Sequence, residues 1–316
     1  MRVLITELIW KEGIEELVRL GAQVDYDDHL WSNRNKLLQV LKEYDALIVR
    51  NQTMVDQELL EAGNGLQVIG RLGVGLDNID LKLAKEKNVK VVYARHANAT
   101  SVAEYVMAAM LRAVRPLHLA DMDVRKGDWN RKKHTGEELA NKTIGLIGLG
   151  EISHRVAKRA KAFGMNVIGY DPFITPYDFI VAETGVSVCD SLDELLRVAD
   201  FVSLHVPLTK ETKNLISASE LKKMKPAAYI INTSRGGIID ENALSDALNN
   251  HIIHGAYIDV LEDEPISLQN KLLSSERTII TPHIAGLTDE SQVRTSVLVA
   301  KEVVKVLKGE SSLCIV

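Results

Sequence analysis

The sequence is poor in cysteine and lacks any long apolar run. Its two cysteines, Cys189 and Cys314, are too few for a disulfide framework and lack the spacing of metal ligands. The longest candidate span, residues 102–111, contains Glu104, and the amino terminus has no apolar segment of signal-peptide length. We therefore expect no metal site, no membrane span and a cytoplasmic location.

The sequence also lacks a strong excess of charge of one sign. It has 38 Lys+Arg against 43 Asp+Glu, a formal net charge of -5, which argues against a surface that binds nucleic acid. The apolar fraction of 46% is enough to bury a core and excludes long disorder. A length of 316 residues predicts two domains.

Short β-branched runs alternate with helical patterns in two series. The first series predicts strands at 3–5, 24–26, 46–49, 68–69 and 89–92, and helices at 12–20, 34–41, 55–62 and 81–87. The second predicts strands at 143–147, 166–170, 201–204, 228–232, 256–258 and 278–280, and helices at 152–163, 192–198, 218–222 and 241–248. Long helices are predicted at 101–115 and 291–307, and the polar segment 121–141 is expected to be a loop with a short helix or an arm that reaches a partner. This alternation predicts an α/β protein with two doubly wound, parallel-sheet lobes.

A glycine turn follows the strand predicted at 143–147. Gly148 allows a tight turn, and Gly150 lets the backbone approach a pyrophosphate at the positive end of the next helix. Ser153 takes the place of the third glycine, where a small residue is needed. Asp171 ends the next strand, at about the 20-residue spacing of an acid that binds the ribose hydroxyls and repels a 2′-phosphate. The pattern favours NAD over NADP; the alternative is a plain turn, with Asp171 capping the chain before a proline.

Polar side chains follow the later predicted strands, and the carboxyl ends of parallel strands lie at one edge of a sheet. Arg235 is suited to bind a carboxylate by two contacts and to polarise a ketone. His283 is suited to donate a proton, and Glu264 beside it would stabilise the protonated ring. Alone, Glu264 has an alternative interpretation as a solvated acid in an acidic loop. Together the three predict hydride transfer to a 2-oxo acid.

Seven stretches resemble the D-isomer-specific 2-hydroxyacid dehydrogenase family over essentially the full length of the chain. They are 71–80 (RLGVGLDNID), 98–104 (NATSVAE), 148–153 (GLGEIS), 203–207 (SLHVP), 232–240 (NTSRGGIID), 255–265 (GAYIDVLEDEP) and 281–286 (TPHIAG). The chain is most similar to the phosphoglycerate dehydrogenase branch. Residues 48–53 (IVRNQT) and the NATSVAEY stretch also resemble sulfolactate dehydrogenases.

The resemblance implies a Rossmann NAD domain, residues 99–287, inserted in a flavodoxin-like substrate domain formed by residues 1–98 and 288–316. It implies that the catalytic set is Arg235, Glu264 and His283. It implies that the cofactor is bound by Gly148, Gly150, Glu151, Ile152, Asp171, His205, Pro207, Thr212, Thr233, Asp259 and Gly286. It implies that the substrate is bound by Arg50, the backbone of Val74 and Gly75, and Asn98. It also implies a homodimer formed through the NAD domains, with the arm near 121–141 wrapping the partner.

The substrate is left open within the class of small anionic 2-hydroxy and 2-oxo acids. The 3-phosphoglycerate/3-phosphohydroxypyruvate pair is expected first, with hydroxypyruvate or glyoxylate reduction and sulfolactate oxidation as alternatives. Asn51 and Gln52 follow Arg50 where many relatives have small residues, which bears on the acid accepted. Since the sequence ends at Val316, we expect no serine-sensing regulatory domain. A protein of a different class, an NAD(H)-sensing corepressor, is disfavoured by the complete catalytic set.

Overall fold

All 316 residues are described by the computed structural model, in which the chain divides into two compact units. Unit 1 comprises Met1–Asn98 and Leu287–Val316, and unit 2 comprises Ala99–Gly286. No helix in either unit is both long enough and apolar enough to cross a membrane.

Unit 1 is built on a five-stranded parallel sheet. Its strands are β1 (Arg2–Ile5), β2 (Gln23–Tyr26), β3 (Ala46–Val49), β4 (Val68–Arg71) and β5 (Lys90–Tyr93), in the order β2-β1-β3-β4-β5. The helices between them are α1 (Lys11–Arg19), α2 (Arg34–Leu41), α3 (Gln57–Ala62) and α4 (Leu81–Glu86). Val3 and Ile5 belong to one buried apolar cluster and Leu4 to another, so both faces of the sheet are covered. This strand order is that of flavodoxin-like folds.

Unit 2 is built on a seven-stranded parallel sheet. Its helices are α5 (Ala99–Val114), α6 (Leu117–Arg125), α7 (Glu151–Ala162), α8 (Phe179–Thr184), α9 (Leu192–Val198), α10 (Ala218–Leu221) and α11 (Glu241–Asn249). Its strands are β6 (Thr143–Ile147), β7 (Asn166–Tyr170), β8 (Ser187–Val188), β9 (Phe201–Leu204), β10 (Tyr229–Asn232), β11 (Gly255–Ile258) and β12 (Thr278–Ile280). The strand order is β12-β11-β10-β9-β6-β7-β8. Successive strands are added on one side of β6 up to β8 and on its other side from β9 onwards, as in dinucleotide-binding sheets. The chain then returns to unit 1 as α12 (Asp289–Leu307).

The α/β class with two doubly wound parallel sheets is confirmed, and most predicted elements differ from the observed ones by one or two residues. The helix predicted from residue 55 begins at Gln57, because the side chain of Asp56 caps it by accepting from the N–H of Leu59. The segment 121–141, expected to be a loop with a short helix or an arm, does begin in a helix, α6, but that helix starts before the segment, at Leu117. This helix buries none of its residues, so no apolar face marked its start in the sequence.

Candidate active site

The glycine turn after β6 is shaped by a close approach of two loops. Gly148 has a φ of +86°, and a Cβ added there would lie 2.5 Å from the carbonyl oxygen of His205, so only glycine fits. Gly150 caps α7, and a Cβ there would meet no atom within 4 Å. The N–H groups of Gly150, Glu151 and Ile152 make no hydrogen bond within the chain. These free donors at the start of a 12-residue helix fit a pyrophosphate.

Ser153 fits the place of the third glycine. Its side chain is fully buried in α7, and its hydroxyl donates to the carbonyl oxygen of Gly148 at 2.5 Å. The extra atoms that serine brings are therefore used to close the turn that precedes the helix.

The carboxylate of Asp171 lies beside the same turn. One oxygen accepts from the N–H of Leu149 at 2.8 Å, and the other accepts from the N–H of Phe173 at 2.9 Å. Each carboxylate oxygen keeps further capacity to accept a hydrogen bond, as the two hydroxyls of a ribose require. The geometry therefore fits the adenosine end of NAD.

The loop after β9 carries a buried neutral histidine. His205 Nε2 lies 2.9 Å from the hydroxyl of Ser203, and its buried Nδ1 has no hydrogen-bond partner. Burial lowers the pKa of His205 to about 3, although other atoms of this residue are partly exposed. Further along, Thr212 donates to the carbonyl oxygen of Pro207 at 2.6 Å and so closes the loop.

The loop after β10 carries Arg235 and is held from within. The side chain of Asn232 accepts from the N–H and the hydroxyl of Ser234, at 3.0 and 2.7 Å, and donates to the carbonyl oxygen of Arg235 at 2.9 Å. A Cβ at Gly236 would overlap the carbonyl of Leu261, so this loop packs directly against the loop that leads to Glu264. Beside them the hydroxyl of Thr233 is buried with no partner.

His283 and Glu264 form a direct pair. His283 Nδ1 lies 2.8 Å from Glu264 Oε2, and the other oxygen of Glu264 accepts from the N–H of Leu261 at 3.1 Å. Both side chains are exposed, so the ring nitrogen Nε2 is left accessible for a reacting molecule.

Asp259 holds the turn on which His283 lies. Its carboxylate, in a residue only 1% exposed, accepts from the hydroxyl of Thr281 at 2.6 Å and from the N–H groups of Ile284 and Ala285, each at 2.8 Å. Its carbonyl oxygen accepts from the N–H of His283, which has a φ of +55°. Burial raises the pKa of Asp259, and these bonds oppose that rise.

The residues of unit 1 that are expected to bind the substrate have polar groups without a hydrogen-bond partner in the chain. The guanidinium of Arg50 makes no hydrogen bond or ion pair with any residue, and neither do the N–H groups of Val74 and Gly75 or the side chain of Asn98. Burial lowers the pKa of Arg50, and the charge of Glu7 opposes this. A half-buried cation and free backbone donors fit an anionic ligand.

The sequence analysis did not predict several residues that support the site. Tyr105 in α5 places its hydroxyl 2.6 Å from that of Thr281, and Asn232 organises the loop of Arg235. Glu7 accepts from the backbone at the start of the Arg50 loop. Asn232, Thr281 and Tyr105 lie inside stretches that resemble the family, which was a usable signal, whereas Glu7 had none.

Comparisons with known proteins show which family the chain belongs to. Residues 107–285 match the family model described as "D-isomer specific 2-hydroxyacid dehydrogenase, NAD binding domain", which confirms NAD as the cofactor. Two relatives are matched over nearly their whole length: the hydroxypyruvate reductase of Thermotoga maritima (40% identical, 97% of this chain and 98% of that one) and the (S)-sulfolactate dehydrogenase of Chromohalobacter salexigens (42% identical, 93% and 94%).

A D-3-phosphoglycerate dehydrogenase of Methanocaldococcus jannaschii is 44% identical over 98% of this chain and 58% of its own length. The chain thus spans just over half the length of that relative and of the similar phosphoglycerate dehydrogenases it matches. Among solved structures, the TT0316 protein of Thermus thermophilus superposes with a TM-score of 0.90 at 32% identity, over all of both chains. The chain belongs to the D-isomer-specific 2-hydroxyacid dehydrogenase family, as its motifs predict.

Proposed function

We propose that the protein is an NAD-dependent dehydrogenase that interconverts a small 2-hydroxy acid and its 2-oxo acid. The overall reaction is 2-hydroxy acid + NAD⁺ ⇌ 2-oxo acid + NADH + H⁺. The observation that carries the proposal is the 2.8 Å pair of His283 and Glu264, with the Arg235 loop packed against the loop of Glu264. This set provides a proton donor, its stabilising carboxylate and a fixed cation, which reduction of a 2-oxo acid requires.

Each member of the set has a separate role in this proposal. Arg235 binds the acid's carboxylate and polarises the ketone. NADH, when bound, supplies the hydride. Because Nδ1 of His283 is hydrogen-bonded to Glu264, the proton that reaches the new hydroxyl comes from Nε2. Glu264 stabilises the imidazolium before transfer and keeps the ring oriented.

We assign the cofactor to unit 2, and the substrate contacts other than Arg235 to unit 1. The proposed NAD domain, residues 99–287, is unit 2 together with Leu287, and the proposed substrate domain, residues 1–98 and 288–316, is the rest of unit 1. The proposed cofactor-binding residues are Gly148, Gly150, Glu151, Ile152, Asp171, His205, Pro207, Thr212, Thr233, Asp259 and Gly286. In unit 1, Arg50, the N–H groups of Val74 and Gly75, and Asn98 are proposed to bind the acid. Asp259 supports the turn of His283 in addition, since both of its carboxylate oxygens already accept hydrogen bonds there.

For the substrate we propose the 3-phosphoglycerate/3-phosphohydroxypyruvate pair, with hydroxypyruvate or glyoxylate and sulfolactate as alternatives. The unpaired guanidinium of Arg50 supports an acid with strong anionic character. The test is steady-state kinetics with 3-phosphohydroxypyruvate, hydroxypyruvate, glyoxylate and the sulfonated analogue, each with NADH and with NADPH. The highest kcat/KM should be with the phosphorylated acid and NADH. Preference for NADPH would contradict the role given to Asp171, and tight NADH binding without turnover of any acid would indicate an NAD(H)-sensing protein instead.

We also propose a cytoplasmic homodimer formed through the NAD domains. Helix α6 and the segment after it expose apolar side chains, with Leu117 68% and Trp129 77% exposed. Apolar groups this exposed on a helix and on the segment that follows it are typical of an interface. Sedimentation velocity should give a dimer that Leu117→Asp dissociates, and a monomeric wild-type protein would contradict the assignment.

Both cysteines are free and buried, as suits a reducing compartment.

A further inference from the structure

A buried glutamate in unit 1 is bound by four consecutive backbone amides. Glu7, in the loop after β1, is 2% exposed. Its Oε1 accepts from the N–H groups of Arg50 and Thr53, both at 2.8 Å. Its Oε2 accepts from those of Asn51 at 3.1 Å and Gln52 at 2.8 Å. The whole backbone segment 50–53 therefore converges on one carboxylate.

This arrangement is an anion-binding backbone loop in which the chain supplies the anion. Hydrogen bonds to a charged acceptor are stronger than those between neutral groups, and four of them offset the cost of burying the carboxylate. Glutamine cannot replace it, because its amide NH2 group would face two N–H donors and accept from neither.

The carbonyl side of the same loop is held as well. Asn78 donates from Nδ2 to the carbonyl oxygens of Arg50 at 3.2 Å and Thr53 at 2.7 Å. The hydroxyls of Thr6 and Thr53 lie 2.9 Å apart. Residues from two other loops thus fix the backbone of 50–53, and Asn78 and Thr6 are themselves buried.

The fixed backbone determines where Arg50 points. Arg50 begins the loop, and no hydrogen bond or ion pair within the chain holds its half-buried guanidinium in place. The two residues that follow it, Asn51 and Gln52, are exposed and do not pack against a core. The position of the guanidinium consequently depends on the backbone that Glu7 holds.

We propose that Glu7 is a positioning residue. By binding the backbone of residues 50–53, Glu7 fixes the position from which the Arg50 guanidinium binds the acid substrate. The inference rests on the proposed function, in which Arg50 binds the acid. Glu7 is proposed to touch neither substrate nor cofactor and to act through the loop backbone, in addition to the attraction between its charge and the Arg50 guanidinium.

The test is a double-mutant cycle of Glu7→Gln and Arg50→Ala, read as KM and kcat with the preferred 2-oxo acid. Glu7→Gln should raise KM roughly tenfold, because the loss of a hydrogen bond to a charged group costs about 1.4 kcal/mol, which corresponds to a factor of ten. The values of kcat and the affinity for NADH should stay within about twofold of the wild type. In the Arg50→Ala background the same change should have little further effect, because its route to the substrate is already gone.

Two controls separate positioning from general loss of structure. Val304→Ala removes apolar volume from the buried cluster of unit 1 without touching the loop, and its KM should match that of the wild type. Amide exchange at residues 50–53 should accelerate in Glu7→Gln and not in Val304→Ala. If the effects of Glu7→Gln and Arg50→Ala on KM are additive, or if KM is unchanged in Glu7→Gln, the inference about Glu7 is wrong but the proposed function stands. A wild-type protein that reduces no 2-oxo acid would overturn the proposed function and the inference with it.

Discussion

The buried imidazole of His205 makes the stability of unit 2 depend on acidity. Burial lowers the pKa of His205 from 6.5 to about 3, because its Nδ1 is enclosed and Nε2 meets only the hydroxyl of Ser203. Between these two values the unfolded chain takes up a proton that the folded chain does not. This contribution to stability is therefore complete above pH 6.5 and is lost as the pH falls towards 3.

The magnitude follows from the distance between the pH and the ordinary pKa. At about pH 4.5, roughly two units below the ordinary value, the loss is about 2–3 kcal/mol. His205→Gln keeps a polar group opposite Ser203 and cannot be protonated. Its free energy of unfolding should fall by about 2–3 kcal/mol less than that of the wild type between pH 7 and about 4.5.

Urea unfolding followed by far-ultraviolet circular dichroism measures this difference, with carboxylates contributing equally to both proteins. The matched control is His29→Gln, because the side chain of His29 is 84% exposed. It should keep the full wild-type dependence on pH. If His205→Gln loses as much stability as the wild type over this range, the imidazole is not the group responsible.

Three changes at the site have distinct expected outcomes. Glu264→Gln should lower kcat about 100-fold with unchanged NADH affinity, since the partner of His283 loses its charge; steady-state kinetics and NADH fluorescence titration check this. Gly236→Ala should lower kcat/KM at least tenfold and destabilise the fold by about 1–3 kcal/mol, measured by kinetics and urea unfolding, because its Cβ overlaps the Leu261 carbonyl. Asp171→Asn should reduce the preference for NADH over NADPH about tenfold in kcat/KM, because the repulsion of a 2′-phosphate is removed.

The regular elements were predictable where their signal is local. The apolar run of β6 ends at Gly148, and its observed bounds, Thr143–Ile147, are those predicted. The two-residue strand β8 was missed because its only support is pairing with β7, which the sequence does not display. Helix α8, also missed, begins with the exposed Phe179 and has no apolar stripe of readable length.

The placement of the candidate site residues was predictable where it follows from their position after a strand. Arg235 follows β10 and His283 follows β12, so topology alone brought them to one edge of the sheet. Glu7 was not predictable by this route. Its partners lie 43 to 46 positions away, and they are backbone amides, whose orientation no residue type reveals.

Glu7 and Asp259 solve the same physical problem in the two units. Each is a nearly fully buried carboxylate that accepts from successive N–H groups of a loop, and each loop carries a residue proposed to act at the site, Arg50 in one unit and His283 in the other. Such loops leave donors that no strand or helix satisfies, and a buried N–H without a partner is costly. An apolar residue at either position would leave those donors unpaired, and an amide would satisfy only some of them. A carboxylate is therefore required at both positions, although it neither reacts nor pairs with another charged side chain.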